Sequence, residues 1–404
     1  MNTAGTQYHR IVIVGGGTAG ISVAARLLKT LKQPDVAIIE PSSDHYYQPL
    51  WTLVGGGVFK KEITRRSEHK LIPRGATWIQ DSVVELCPAE NCVRTSEGKT
   101  IGYDYLVVAP GIQIDWGKIK GLDGSLGTGG LCTNYTYDVV GYTWESIKHF
   151  TGGDAIFTQP STPIKCAGAP QKIMYLADDH FRKAGVRDKT RIRFMSGVGT
   201  IFSVKAYADT LNQVIARKGI ETAFHHELIE VRPASHEAVF KHLDTQEEEI
   251  VHYDLMHITP PMSAPDFVKR SPLANADGPL KGWVNVDKYT LQNPDYPNVF
   301  SLGDVAGLPT SKTGAAIRKQ VPVLVHNLVR AMAHEESRFD RYDGYTSCPL
   351  VTGYGKLVLA EFDYDLKCKE TFPVDQTKER FSMYLLKAYG LPVLYWQGMM
   401  KGRA

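Results

Sequence analysis

The chain has 404 residues, 43% of them hydrophobic and 22% charged, which is typical of a globular protein with two or three domains. Its 46 Lys and Arg nearly balance 43 Asp and Glu, so the net charge of +3 does not indicate a nucleic-acid-binding surface. Six cysteines are too few for a disulfide scaffold, and the lack of an apolar run long enough to cross a bilayer predicts no transmembrane helix.

The first element is predicted to be a buried strand, a glycine turn and the start of a helix at residues 11–20. Gly15, Gly17 and Gly20 follow the G-x-G-x-x-G spacing, which lets a pyrophosphate approach bare backbone. A helical run to Leu31 and a second apolar strand follow, and that strand ends in Glu40, at the distance where a carboxylate binds an adenosine ribose. This context favours a dinucleotide site over a glycine turn in another kind of α/β protein.

Aromatic residues and short strands come next. Tyr46, Tyr47 and Trp51 either lie along a flat ring system or belong to the core of a long loop. Cys87 and Cys92 have C-x4-C spacing without a second pair of ligands, so we predict no metal site and treat them as structural. Because the first strand begins about ten residues into the chain, we expect no signal peptide and a reducing, cytoplasmic setting.

Two later segments resemble flavin signatures of the two-dinucleotide-domain flavoproteins. The strand at residues 103–111 ends in Ala109, Pro110 and Gly111, where Ala-Thr-Gly is usual beneath the flavin. Residues 298–305 resemble the second signature, in which an aspartate, here Asp304, hydrogen-bonds the ribityl chain. The order of these segments predicts an FAD domain split by an inserted second domain.

The inserted domain begins as a damaged copy of the first. Gly197 and Gly199 remain in the turn, but the third position of the motif is Phe202, whose ring would fill the close contact between helix and strand. The strand that should end in a ribose-binding acid ends in His225 and His226. We therefore predict no nicotinamide binding and another source of electrons.

Cys166 and Cys348 are the candidate electron acceptors. Cys166 stands just ahead of a predicted helix with Pro170 in its first turn, and Lys165 precedes it, so both features favour a thiolate. Cys348 lies in a segment punctuated by Gly and Pro. A lone cysteine is more commonly a small buried hydrophobe, and sequence spacing does not show that these two meet.

Residues 163–176, 308–313 and 342–354 resemble the signatures of the sulfide:quinone oxidoreductases, type II branch, which includes the mitochondrial enzymes. The likeness continues through residues 359–364 and 378–384 and covers nearly the whole chain. It implies that Cys166 and Cys348 bridge a sulfane sulfur, with Cys348 nearer the flavin. Cys166 would pass sulfur to glutathione, sulfite or cyanide, and FAD would reduce ubiquinone.

The resemblance implies an α/β fold with two Rossmann-like, glutathione-reductase-like domains and an amphipathic, membrane-associating C-terminal segment. We expect the FAD domain at residues 1–115 and 292–345, a connection at 116–150, the degenerate second domain at 151–291 and a quinone and membrane region at 346–404. Lys312 would lie beside the flavin and stabilise the anionic reduced ring. The alternative interpretation of Lys312 is a solvated lysine after a turn. Expected contacts of non-covalent FAD are Gly15, Gly17, Thr18, Ala19, Gly20, Glu40, Pro41, Gln48, Val83, Ala109, Pro110, Gly111, Gly303, Asp304, Lys312 and Thr313; those of the quinone are Tyr345, Tyr354, Phe381 and Tyr384.

Cys132 departs from the mitochondrial pattern. It lies where the type I branch carries a third redox cysteine, so it is either a third sulfur station or a free surface thiol, and we favour the thiol. No metal site is predicted, and no His or acid stands out as a general base.

The C-terminal segment is predicted to contact lipid. Between residues 377 and 389 a helical stripe includes Phe381, Tyr384, Leu385 and Ala388, with basic residues interspersed. This composition suits a helix lying in the headgroup plane. The alternative is a helix that closes a homodimer interface. We expect a peripheral protein on the cytoplasmic face of a bacterial inner membrane.

Other functions remain open on the sequence. A type II NADH:quinone oxidoreductase would share the fold but need an intact second glycine motif. A disulfide reductase would carry a C-x4-C pair on the helix after Gly20, which is absent. A flavin-binding scaffold without activity is a further alternative, and reduction of the flavin by sulfide separates it from an enzyme.

Overall fold

The computed structural model describes residues 7–404. The fold consists of two Rossmann-like α/β units and a C-terminal hairpin with an irregular helical tail. The strands are, in chain order, β1 Gln7–Val14, β2 Val36–Ile39, β3 Asp44–Tyr46, β4 Arg65–Ser67, β5 Ala76–Ile79, β6 Val83–Cys87, β7 Cys92–Thr95, β8 Thr100–Val108, β9 Gln113–Ile114, β10 Leu131–Cys132, β11 Gly153–Gln159, β12 Thr190–Ser196, β13 Glu221–Phe224, β14 His226–Arg232, β15 Glu237–His242, β16 Glu248–His252, β17 Leu255–His257, β18 Met262–Ser263, β19 Val299–Ser301, β20 Thr346–Gly353 and β21 Lys356–Phe362.

The α-helices pack mainly on the faces of the two larger sheets. They are α1 Thr18–Thr30, α2 Trp51–Gly55, α3 Val140–Lys148, α4 Ala169–Lys183, α5 Lys205–Lys218, α6 Asp266–Lys269, α7 Gly314–Ala331, α8 Phe381–Leu385 and α9 Leu391–Val393.

The first sheet has the order β5-β2-β1-β8-β7-β6, with β19 on the free part of β8. β1, β2, β5, β8 and β19 run parallel, and β8 is long enough to pair with β7 at its start and with β19 at its end. Since β19 comes from residues 299–301, the chain returns to this sheet after the second domain. The parallel strands are buried on both faces, which explains why β1 and β2 read as continuous apolar runs.

The second sheet has the order β10-β17-β11-β12-β13, and its strands are parallel. A separate antiparallel sheet, β14-β15-β16, follows β13 in the chain. These two sheets confirm the predicted α/β class with a second Rossmann-like unit. The edge strand β10 comes from the segment that we assigned to a connection, so that segment contributes to the second sheet.

The C-terminal region consists of the β20–β21 hairpin and a tail. β20 packs against α4 and α7, which places it between the two domains. The tail is a series of short α, π and 3₁₀ turns from Phe381 to Lys401, and none of the described helices is long and apolar enough to cross a membrane. The residues of the predicted stripe differ in exposure, because Tyr384 and Ala388 are buried whereas Phe381 and Leu385 are exposed.

Candidate active site

Cys166 and Cys348 meet between the two domains. Cys166 lies three residues before α4, and Cys348 is the third residue of β20. Their sulfur atoms are 3.6 Å apart, although 182 residues separate them in the sequence. Cys348 is fully buried and Cys166 is half-buried, so the pair is reached from the Cys166 side.

The backbone of Cys166 is held in a left-handed conformation, with φ of 57°. Its N–H donates to the Lys312 carbonyl oxygen at 2.8 Å, and its own carbonyl accepts from the Ala169 N–H at 2.7 Å. A residue with a Cβ adopts this conformation at some cost in free energy, and such residues cluster at functional sites. The two hydrogen bonds fix the sulfur in front of β20.

A buried ammonium group sits beside the pair. The Nζ atom of Lys172, on the first turns of α4, lies 3.1 Å from the Cys166 sulfur, and Lys172 is 2% exposed. The hydrogen bond from the Cys348 thiol and the charge of Lys172 hold the pKa of Cys166 well below its usual range. The neighbouring Cys166 sulfur and burial raise the pKa of Cys348. The reduced pair is therefore a Cys166 thiolate beside a Cys348 thiol.

Two more lysines flank the pair. The sequence pointed to Lys165 as the cation beside Cys166, but its Nζ donates to Gln48 Oε1 at 2.6 Å, and burial lowers its pKa to about 8. Lys387 reaches in from the tail and donates to the Pro49 carbonyl oxygen at 3.0 Å. Burial, and then the charge of Lys172, lower the pKa of Lys387 to about 7. The surroundings of the sulfur pair thus favour anions.

The predicted cofactor residues line the carboxyl ends of adjacent parallel strands. Gly15 follows β1, Glu40 follows β2, Ala109 follows β8, and Asp304 comes shortly after β19. Ligands of open α/β sheets bind in the crevice at this edge, where the strand order reverses. The structure therefore brings most of the predicted residues to one groove.

The glycine turn of the groove is shaped for a phosphate group. Gly15 has φ of +101°, and a side chain there would collide with the Ala109 carbonyl oxygen. A side chain on Gly20 would collide with the Gly15 carbonyl oxygen, so α1 can approach β1 only without one. A Cβ on Gly17 would meet no atom within 4 Å, which leaves open space over the start of α1. The N–H groups there can face an anion.

A second carboxylate stands beside the turn. Glu40 accepts from the Gly16 N–H at 2.7 Å, and Glu68 is 1% exposed with its Oε1 atom lacking any hydrogen-bond partner in the described structure. A Cβ on Gly16 would lie 2.6 Å from that oxygen. A buried acceptor without a donor is costly, and ribose hydroxyls would supply donors. The residues present therefore fit an adenine dinucleotide such as FAD.

The tail closes over this groove. The Tyr395 hydroxyl lies 2.8 Å from Thr18 Oγ1 and 2.5 Å from His45 Nε2, while His45 Nδ1 lies 3.1 Å from Glu68. Sequence reasoning missed His45, Glu68 and Tyr395. No sequence pattern could have indicated them, because the contacts join segments up to 377 residues apart.

The far side of the groove carries Lys312 and Thr313. Lys312 Nζ donates to the Asp304 carbonyl oxygen and lies 3.7 Å from the centre of the Trp283 ring, so it is not a solvated lysine. Burial lowers its pKa to about 8. Thr313 accepts from the Ala316 N–H and begins α7. Gly303 has φ of +74°, which permits the turn before Asp304.

The residues predicted to contact quinone do not all come together. Tyr354, at the turn of the β20–β21 hairpin, lies near Tyr384 and next to Gly355, which Phe381 covers. Tyr345 precedes β20 at the other end of the strand, roughly 30 Å along an extended chain. Its hydroxyl donates to Glu361. Tyr345 is thus apart from the other three.

Cys132 does not have the exposure we expected. It is fully buried in β10, and burial raises the pKa of its thiol to about 12. The description as a surface thiol is wrong, because Cys132 lies in β10, an edge strand of the second sheet in which both residues are buried.

The second glycine turn is filled by the chain itself. Positions for a Cβ on Gly199 and on Gly197 lie 2.7 Å or less from His225 and Glu227 atoms, respectively. α5 begins only at Lys205, and Phe202 is 6% exposed, packed edge-on to Tyr207 and Phe362. A Cβ on Gly17 of the first turn meets open space, whereas the corresponding space beside Gly199 is taken by the His225 side chain.

Comparison with known proteins identifies the family to which the chain belongs. Residues 9–138 match the family model for pyridine nucleotide-disulphide oxidoreductases. The chain is 50% identical to the mitochondrial sulfide:quinone oxidoreductase of Mus musculus over 397 residues, 98% of this chain and 87% of the relative. It is 49% identical to the mitochondrial enzyme of the same name from Dictyostelium discoideum, over 98% of this chain and 86% of the relative. The chain belongs to the sulfide:quinone oxidoreductase family.

A solved structure of the same family supports the fold. The sulfide:quinone oxidoreductase from Aquifex aeolicus superposes with a TM-score of 0.82 at 19% identity, over 98% of this chain and 92% of that one. As a sulfide:quinone oxidoreductase family member the chain is an oxidoreductase, which confirms the resemblance drawn from the sequence, and its family implies a flavin cofactor.

The expected bacterial location is wrong. Three relatives that are 41–50% identical to this chain are named as mitochondrial proteins, and they come from Mus musculus, Dictyostelium discoideum and Schizosaccharomyces pombe, which contradicts a bacterial inner membrane. Our expectation rested on the lack of a recognisable targeting segment, and that lack carries no information about the compartment.

Proposed function

We propose that this protein oxidises sulfide at Cys166 and Cys348 and passes the electrons through FAD to ubiquinone. The observation that carries the proposal is the pair of sulfur atoms 3.6 Å apart beside the buried ammonium of Lys172. The names of the relatives support the same substrates.

The sulfur separation suits one bridging sulfur atom. Two S–S bonds of about 2.05 Å joined at a bent sulfur would place the outer atoms roughly 3.3 Å apart. The observed 3.6 Å is close to this span and too long for a direct bond. The site can therefore hold a sulfane sulfur between the cysteines with little movement.

The chemistry at the cysteines balances in one exchange. Hydrosulfide attacks the bridging sulfur, the S–S bond to Cys348 breaks, and its electron pair remains on Cys348 as a thiolate. Cys166 then carries both the bridging and the added sulfur, as Cys166–S–S–SH. Because burial and the adjacent sulfur raise the pKa of Cys348, its thiolate is destabilised and gives up electrons readily. Lys172 stabilises the negative charge on the sulfur that Cys166 holds after this step.

Non-covalent FAD is the electron acceptor in this proposal. Gly15, Gly17 and Gly20 would hold its pyrophosphate and Glu40 its ribose, and Lys312 would stand near the flavin. Bound FAD would accept the two electrons that are released when the sulfur chain on Cys166 closes back onto Cys348 and re-forms the S–S bond, and it would deliver them to the quinone. Acid or heat should release free FAD from the purified protein, whereas a flavin that stays on the denatured chain would contradict this part.

The outer sulfur atom is transferred from Cys166 to an acceptor. Cys166 is the half-buried member of the pair, so an acceptor can reach it, whereas Cys348 is closed off. Sulfite, cyanide and the thiolate form of glutathione are all anionic nucleophiles. The side chains of Lys165, Lys172 and Lys387 favour anions at this site.

The tail is proposed to contact the lipid surface from which quinone enters. Phe381, Tyr389 and Val393 are 62%, 59% and 62% exposed, an unusual number of large apolar side chains in one short segment. Tyr354, Phe381 and Tyr384 would line the quinone path. A homodimer interface is the alternative occupant of the same face.

Substitution tests the tail better than deletion. The tail also supplies Lys387 to the sulfur site and Tyr395 to Thr18, so removing it would disturb both. Exchange of Phe381, Tyr389 and Val393 for Gln should abolish sedimentation with liposomes while sulfide still reduces the flavin. If the variant binds liposomes as before, the proposed lipid contact is wrong. If the substitutions instead dissociate a dimer of the wild-type protein, this face is a homodimer interface.

Anaerobic mixing of the holoenzyme with sulfide or with NADH tests the function. Sulfide should bleach the flavin rapidly and NADH should not, because His225 and Glu227 fill the second glycine turn. Rapid bleaching by NADH would favour a type II NADH:quinone oxidoreductase, and no bleaching by sulfide would reject the proposal.

A further inference from the structure

A cavity of about 1270 Å³ opens between α1, the β3–β4 hairpin and the end of the tail. Seven cationic side chains line it, against one carboxylate, that of Asp44. None of its lining residues is an expected FAD contact, and it includes neither redox cysteine. With a net charge of only +3 for the whole chain, this concentration of positive charge is local.

Most of these cations are not neutralised within the described residues. Arg65 lies 3.7 Å from Asp44, the one ion pair in the group. Lys29 donates to the Lys401 carbonyl oxygen, and Lys401 donates to Gln397, so neither meets a carboxylate. The remaining four cations, Arg66, Lys70, Arg74 and Arg403, are exposed and have no described acidic partner. The cavity is therefore suited to an anion.

The cavity also has apolar walls. The Arg66 guanidinium lies 4.0 Å from the centre of the Trp396 ring, which holds its charge over an aromatic face. Leu71, Ile72 and Met400 contribute further apolar surface. Cationic and apolar side chains that line the same cavity match a ligand that carries a phosphate next to an apolar part.

The tail connects this cavity with the proposed lipid contact. Val393 and Leu394 are exposed, and Trp396, Met400 and Arg403 of the cavity follow within ten residues. We propose that the cavity binds the headgroup phosphate of an anionic phospholipid in the membrane on which the tail lies. The inference rests on the proposed lipid contact of the tail and adds a defined headgroup site to it.

The test compares two vesicles with the full-length holoenzyme. One consists of phosphatidylcholine alone, and the other also contains phosphatidylglycerol. We expect the tail to give binding to both vesicles, and the cavity to strengthen binding to the anionic one. A triple variant, Lys70→Gln with Arg74→Gln and Arg403→Gln, should lose about a hundredfold of that gain at low salt, since each cation near an anionic surface adds about fivefold.

A matched control separates the cavity from overall charge. Lys148, Lys183 and Lys189 are exposed on the second domain with no described ion pair, and their exchange for Gln removes the same charge. We expect this control variant to retain the stronger binding to vesicles that contain phosphatidylglycerol. Both triple variants should show normal reduction of the flavin by sulfide, since neither touches the sulfur site.

Each alternative outcome overturns the proposal in a distinguishable way. Equal binding of the wild type to both vesicles rejects the cavity but leaves the tail contact intact. No binding to either vesicle rejects both. Equal loss in the control variant would show diffuse attraction instead of a site. Inorganic phosphate that binds the cavity without any gain from anionic lipid would show a site for the free ion.

Discussion

The molecule contains two pairs of neighbouring cysteines, and within the described residues only one of these pairs has a buried ammonium group in contact with a sulfur atom. Cys87 and Cys92 lie opposite each other in the β6–β7 hairpin, and the Cys92 sulfur is 3.9 Å from a Glu90 carboxylate oxygen. The Cys166 sulfur instead lies 3.1 Å from the Lys172 ammonium.

The difference appears in the pKa of each thiol. Burial and the neighbouring Cys92 raise the pKa of Cys87 to about 11, and burial raises the pKa of Cys92. The pKa of Cys166 is lowered. Proximity of two sulfurs is thus insufficient for redox chemistry at neutral pH, because only a thiolate is a competent nucleophile.

The largest expected effect comes from removing the sulfur that carries the charge. Cys166→Ser leaves nothing to hold a bridging sulfur, so turnover with sulfide should fall by several orders of magnitude. The measurement is quinone reduction at saturating sulfide, with FAD content as the control for folding. Retention of more than a tenth of the activity would show that the pair is not the sulfur site.

Removing the cation should have the next largest effect. Lys172→Met removes the ammonium that stabilises negative charge on the sulfur held by Cys166, so flavin reduction by sulfide should slow by about 10- to 100-fold, and the pKa of Cys166 in the reduced pair should rise. Alkylation of Cys166 by iodoacetamide should shift its midpoint to higher pH. Lys172→Arg should restore most of the rate of flavin reduction and most of the alkylation midpoint. An unchanged alkylation profile in Lys172→Met would show that the Lys172 ammonium does not affect the Cys166 sulfur.

Lys387 should matter less than Lys172. Its ammonium donates to a backbone carbonyl instead of to a sulfur, and with a pKa of about 7 it is charged in only part of the population at neutral pH. Lys387→Met should therefore slow flavin reduction by a few-fold below pH 7 and by less above it, where the native side chain is already neutral. A pH profile of the rate in both proteins measures this difference. An effect that grows with rising pH would contradict the assignment.

The smallest effect is expected at the hairpin pair. Cys87→Ser and Cys92→Ser should leave the rate of flavin reduction within about twofold of the wild type. Cys132→Ser should likewise cost far less activity than Cys166→Ser. A block at Cys87 or Cys92 as severe as at Cys166 would invalidate the contrast between the two pairs.

The elements that the sequence predicted well are those set by local pattern. The turn from Gly15 to Gly20 and the acid at Glu40 depend on glycine geometry and strand length, which sequence spacing reports directly. The meeting of Cys166 with Cys348 could be proposed only from the family resemblance, because their contact depends on how β20 packs against α4.

The parts that were missed depend on tertiary packing of the tail. Lys387 and Tyr395 reach into the site because Tyr384 and Ala388 turn toward the body of the protein. A helical stripe drawn from the sequence placed these two with Phe381, which is exposed. The π turns between Leu386 and Gly398 continue the tail after α8, and no composition signal indicated them.

Stopped-flow bleaching of the flavin by sulfide in Cys348→Ser tests the central claim most directly. If Cys348 is the sulfur that releases electrons, this variant should bind FAD normally and show no rapid reduction, while Cys87→Ser reacts like the wild type. Rapid bleaching in Cys348→Ser would contradict the account.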